Sequence, residues 1–151
     1  MKIIRRWGEE EEWGTRILQR ISGEVKAYFP RSKHLYSTSF REIDHDFRVG
    51  FRDKLGRRLD LSVRCTAERD RARCEVSLFI PHPSGSEIKE ITRYAETFTR
   101  FYGLGRCSVH TGLLLEAGAS IICVVPHDRV EDVIADLAKI ARKIKRGELH
   151  V

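Results

Sequence analysis

Asparagine is missing from this chain altogether, glutamine occurs once (Gln19), and methionine occurs only at Met1. Few thermolabile side chains beside a charged fraction of 33% is the pattern of hyperthermophile proteins. No apolar run approaches the ~20 residues of a membrane-spanning helix, so no membrane contact is expected. The opening residues, Met1-Lys2-Ile3-Ile4-Arg5-Arg6-Trp7, lack the apolar stretch and small-residue cleavage site of a secretory signal, and the expected location is cytoplasmic. Among the 151 residues there is no Gly- or Ser-rich linker and no internal repeat. A single domain over residues 1–151 is expected, large enough to bury a core without staples.

Catalytic signatures are missing too. There is no Walker sequence, no serine nucleophile elbow and no metalloprotease helix. Gly103-Leu104-Gly105-Arg106 follows a predicted helix and precedes a predicted strand, the reverse of a phosphate loop. No two cysteines have the short spacing of zinc ligands. No catalytic residue, metal or cofactor is therefore assigned.

Period-two alternation fills the middle of the chain. Phe47, Val49 and Phe51 alternate with Arg48 and Arg52. Leu59, Leu61, Val63 and Cys65 alternate with Arg58, Asp60, Ser62 and Arg64. Cys74, Val76, Leu78 and Ile80 alternate with Arg73, Glu75, Ser77 and Phe79. These are three half-buried strands. A three-residue turn at Lys54-Leu55-Gly56 sets Phe51 opposite Leu59, and a four-residue loop over residues 68–71 sets Cys65 opposite Cys74. Both registers collect the apolar side chains on one face, which a one-residue slip would scramble.

Helical periodicity brackets this meander. Trp13, Ile17, Leu18, Ile21 and Val25 predict a helix over residues 10–29, stopped by Pro30. Ile88, Ile91, Ala95, Phe98 and Tyr102 predict a second, opened by a Ser84–Glu87 capping box. Val130, Val133, Ile134, Leu137, Ile140 and Ile144 predict a third, with Asp128 and Glu131 as its capping box and Gly147 closing it. Between the last two helices, residues 107–115 and 120–125 read as strands that are apolar on both faces, turning at Ala117-Gly118. The expected fold is α+β, two-layered, with a mainly antiparallel five-stranded sheet, helices on one face, and the order α-βββ-α-ββ-α.

That order, and its closing unit of strand 120–125, Pro126 and an amphipathic helix from Asp128, resembles type III secretion chaperones and YbjN-like proteins over residues 10–146. The resemblance implies a small, often dimeric, partner-binding protein without catalytic residues.

Several side-chain sets carry candidate functions. Cys65 and Cys74 face each other across two strands, as a disulfide or as two buried thiols. Cys107 and Cys123 do not oppose each other in the register that this turn gives. Leu113, Leu114 and Leu115 with Ile121, Ile122 and Val124 form a candidate interface for a second copy or an unidentified protein partner, because strands apolar on both faces need cover on both. The net charge of +6 fits an acidic or nucleic-acid partner, or a solvated surface. Arg48, Arg52, Arg58, Arg64 and Arg73 form the basic face for such a partner. With Phe79 as that face's one aromatic, a stacking platform for single strands is not favoured. His82 and His127 each follow a strand and precede a helix, so with Asp128 they form a candidate metal or acid–base site at one end of the sheet. The reading that these sets support first is a non-enzymatic, chaperone- or adaptor-like protein-binding module, a homodimer. A nucleic-acid-associated protein comes second and a small enzyme third.

Overall fold

A computed structural model describes residues 44–68, 71–101, 105–112 and 117–149, with positions 19, 20, 23, 26, 27 and 30 before them. Gln19, Arg20, Gly23, Lys26 and Ala27 are helical and exposed. The apolar stripe expected beside them, and the stretch 31–43, lie outside the described residues.

The core of the molecule is one sheet of β1 (Asp44–Arg52), β2 (Arg58–Glu68), β3 (Arg71–Pro81), β4 (Arg106–Gly112) and β5 (Gly118–Pro126). The spatial order is β1-β2-β3-β5-β4, and every neighbouring pair is antiparallel. Helix α1 (Gly85–Phe101) joins β3 to the edge strand β4, and α2 (Val130–Lys145) follows β5. Helix α1 lies against β4 and β5, α2 lies against β3, and the two helices touch. The α+β class, the antiparallel sheet and the helices on one face are as expected from the sequence.

The registers follow from turn chemistry. Gly56 adopts a φ of +78°, the left-handed conformation that a three-residue hairpin loop demands at its last position. Asp53 primes this turn by accepting the Leu55 and Arg57 backbone N–H groups on Oδ1, at 3.0 and 2.8 Å. Phe51 then pairs with Leu59 and Val49 with Leu61. On the next hairpin Cys65 pairs with Cys74 and Val63 with Val76, as expected. The ladder there runs on to Glu68 and Arg71, which pair rather than sit in the loop. Leu61, Val63, Val76, Leu78, Ile121 and Leu137 are sealed between sheet and helices. Burying each such side chain contributes roughly 1.5–3 kcal/mol.

The helix ends divide. Helix α1 has the expected capping box: Ser84 N–H donates to Glu87 Oε1 at 2.8 Å, and Glu87 N–H donates to Ser84 Oγ at 3.2 Å. Gly147, with φ +74°, closes α2 by donating to the Ile144 carbonyl, while Glu148 N–H reaches the Lys143 carbonyl. The capping box expected from Asp128 is absent. A 3-10 turn over His127–Arg129 intervenes, and α2 starts at Val130, with Arg129 at the cap position making no side-chain cap bond. Glu131 and Asp132 in the first turn still complement the helix dipole.

Candidate functional site

The alternation that buries one face of the sheet sends the other residues to the opposite face, away from α1 and α2. Register lines them up in rows across the strands. One row is Arg48, Ser62, Ser77, Ile122 and Ser108. The next is Arg64, Glu75, Val124 and Arg106. On the other side lies Gly50, Asp60, Phe79, Ser120 and His110. All five arginines of the predicted basic face, Arg48, Arg52, Arg58, Arg64 and Arg73, are exposed on this surface. Arg106 joins them, because the alternation of β4 begins one residue earlier than the sequence reading placed it.

The pairing of these arginines is sparse. Arg58 Nε lies 3.9 Å from Asp60 Oδ1. Arg48, Arg52, Arg64, Arg73 and Arg106 have no carboxylate within 4.0 Å among the described residues. Arg64 is across from Glu75, as the register predicts, but the two do not close an ion pair. The helix layer differs. There Lys143 reaches Glu90 at 3.3 Å, and Arg93 and Arg129 reach Glu90 and Asp132 at 4.0 Å.

Between the arginines the surface dips. A shallow hollow is lined by Arg48, Asp60, Ser62, Ser77, Phe79, Ser120 and Ile122. Its floor is the cross-strand pair Ser62–Ser77, with hydroxyl oxygens 2.5 Å apart. Small side chains here leave room above the sheet. Phe79, Ile122 and Val124 are half-buried, an apolar patch inside a guanidinium rim. The Phe79 ring covers Gly118, where a Cβ would come within 2.4 Å of it.

The other predicted sets are rearranged. Of the candidate interface, Leu113, Leu114 and Leu115 lie outside the described residues. Ile121 belongs to the core, fully buried beneath the helices, and is withdrawn. Ile122 and Val124 remain, on the outer face. The disulfide is not Cys65–Cys74. Those two are buried and not disulfide-bonded, and the bond joins Cys107 to Cys123. β4 ends at Gly112 and β5 starts at Gly118, so the connection is centred earlier than Ala117-Gly118 and Cys107 falls opposite Cys123. The Cα atoms of that pair are 4.0 Å apart.

His82, His127 and Asp128 do not form one site. β3 and β5 are antiparallel neighbours, with Pro81 beside Gly118 and Pro126 beside Arg73. His82 and His127 therefore lie at opposite ends of the sheet, roughly 30 Å apart at ~3.4 Å per residue. Among the described residues no three of His, Cys, Asp and Glu are grouped as metal ligands would be.

A charge cluster that the sequence reading missed sits at the β1–β2 turn. Arg57 donates to Glu87 through both terminal nitrogens, at 2.8 and 2.6 Å, and through Nε to Asp53 Oδ2 at 2.7 Å. It also reaches the carbonyls of His82 and Pro81, at 3.2 and 3.4 Å. The side chains of Asp53 and Glu87 are 1% and 0% exposed. Burial alone would push the Glu87 carboxyl up, but hydrogen bonds from Arg57 and from the Ser84 backbone outweigh it and hold the carboxyl below its ordinary value. The same bond to Glu87 keeps Arg57 charged against its own desolvation. This cluster ties the hairpin to the start of α1, and its atoms are spent on one another. It is architecture rather than a reactive centre.

Among the described residues no helix is long and apolar enough to cross a membrane. The chain matches no family model, no curated protein and no solved structure.

Proposed function

We propose that this chain is a non-enzymatic protein-binding module, adaptor- or chaperone-like, whose working surface is the sheet face opposite the helices. The observation that carries this reading is the anatomy of that face: an apolar centre of Phe79, Ile122 and Val124, small polar neighbours, and an arginine rim. Protein interfaces have this arrangement, with arginine and aromatic residues enriched and a polar margin around a drier core. The strongest charge cluster elsewhere, Arg57 with Asp53 and Glu87, is closed on itself and offers no acid or base to a substrate.

The homodimer belongs to the same proposal and uses the edge strand β4. Among the described side chains β1 exposes Arg48 and Arg52, whereas β4 exposes Arg106 as its one charged residue. Charge on an edge discourages strand addition. Thr99 of α1 occupies both backbone groups of Cys107, accepting its N–H and donating to its carbonyl, each at 3.3 Å. By strand alternation the N–H and C=O of Val109 and Thr111 also point away from β5. A second copy pairing there would extend the sheet.

Two measurements test the reading. A benzoylphenylalanine photo-crosslinker at Ser77 should give a crosslinked protein adduct in cells, and the same group at Lys139 on the helix layer should not; no adduct at Ser77 overturns the assignment of this face. Sedimentation should show a dimer that Val109→Pro converts to monomer, since proline there blocks only the outward side of the strand.

A further inference from the structure

We infer that the outer sheet face receives an acidic protein segment, with its carboxylates on the rim arginines and its apolar side chains over Phe79, Ile122 and Val124; this rests on the protein-binding reading above. The first support is the missing partners. Five of the six arginines on this face have no carboxylate within 4.0 Å among the described residues, whereas on the helix side Arg93, Arg129, Lys143 and Arg146 each have one and Lys89, Arg100 and Lys139 have none. An ion-laced solvent face would show the reverse. Asp60 and Glu75 lower the positive charge of the face without closing on Arg48, Arg64, Arg73 or Arg106.

The second support is distribution. Arg64 and Arg106 stand in one row, separated by Glu75 and Val124, so their backbones are roughly 14 Å apart at ~4.8 Å per strand. Arg48 flanks that row on one side, and Arg73 lies beyond Glu75 on the other. An extended segment of about five residues spans this distance at ~3.4 Å each. It would place carboxylates at both ends and an apolar residue over Val124 and Ile122. Guanidinium groups that fork onto carboxylates give both orientation and affinity in such contacts.

Two other occupants fit less well. A nucleic-acid strand wants a run of cations beside several stacking rings, and this face offers Phe79 alone, which also roofs Gly118. A second copy laid face to face would oppose one set of arginines to another, which like-charge repulsion disfavours.

The test uses the full-length chain and fluorescently labelled probes read by anisotropy. The probes are a 12-residue peptide alternating Asp/Glu with Leu/Phe, the same peptide with Ser in place of its acids, the same with Lys in their place, and 12-nucleotide single-stranded RNA and DNA. The acidic peptide should bind, and its affinity should fall with added salt. The double substitution Arg48→Glu and Arg64→Glu should weaken it about tenfold or more, about 1.4 kcal/mol. Lys139→Glu, on the opposite side, should leave it within about twofold. Both variants should keep the wild-type melting transition, since all three residues are exposed. The charge-reversed face should now accept the Lys peptide. If the Ser peptide binds as tightly as the acidic one, the acidic partner is wrong and the protein-binding reading stands. Tighter, Arg48- and Arg64-dependent binding of RNA or DNA would overturn both. Binding of none of the probes would overturn the acidic-segment proposal.

Discussion

Arg57 and Arg58 are neighbours in the chain, yet they belong to regions that use charge differently. Arg57 turns inward, gives its donors to Glu87, Asp53 and two carbonyls, and joins a hairpin to a helix. Arg58 turns to the outer face, half-exposed, with one distant acid at 3.9 Å. The inner charge is fully compensated and holds parts together. The outer arginines are held in position by the strands but largely uncompensated, so their electrostatic capacity remains for something outside the fold. Arginine count and net charge do not separate these uses; the side of the sheet does.

The contrast is broken most forcefully at Arg57. Arg57→Ala leaves Glu87 as an uncompensated buried carboxylate and should cost about 3–5 kcal/mol in urea unfolding. Pairing it with Glu87→Leu should recover much of that loss. A cost no larger than that of Arg58→Ala would erase the distinction between the regions. Next comes the Cys107–Cys123 bond, with a sequence separation of 16. Removing both cysteines should cost about 3 kcal/mol from loop entropy. Dithiothreitol should lower the Tm of the wild type and equally that of a Cys65→Ala, Cys74→Ala variant, which keeps the bond. Acid should act more gradually. Glu87 binds its proton more weakly in the folded chain than in the unfolded one. Its contribution is therefore complete above the ordinary carboxylate value of ~4.3 and is lost as pH falls through the lower folded value. Urea midpoints taken from pH 7 to pH 2 should fall on the acid side, and Glu87→Gln should flatten its share of that slope. The smallest effect belongs to the outer face: Arg64→Ser or Arg73→Ser should shift stability by less than about 0.5 kcal/mol. A large loss there would mean that these arginines, too, serve the architecture.

The meander was readable because one period explains it. From Val49 to Leu78 each buried strand side chain has a polar neighbour, so face and register follow together. The same pattern placed five of the six outer arginines. β4 and β5 were harder, since Ile121, Ile122, Val124 and Val125 carry no alternation to choose a face, and Ala117-Gly118 drew the turn later than the pairing of Gly112 with Gly118 sets it. That shift hid the Cys107–Cys123 pairing. The Arg57–Glu87 contact joins residues 30 apart through tertiary packing. Local spacing gives no sign of it, although Asp53 at the turn and Glu87 in a capping box were separately visible. The histidine site failed on topology: following a strand is not a position until the strand's direction is known.

The fit of Phe79 over Gly118 limits how this surface can change by mutation. Any side chain at 118 would collide with the ring, so Gly118 can enlarge only after Phe79 has shrunk. Shrinking Phe79 first strips cover from a buried glycine backbone in the sheet. Each single step is therefore worse than the pair, and the two positions are expected to vary as a unit. A library meant to retarget the hollow should randomise its serine floor and leave that couple fixed.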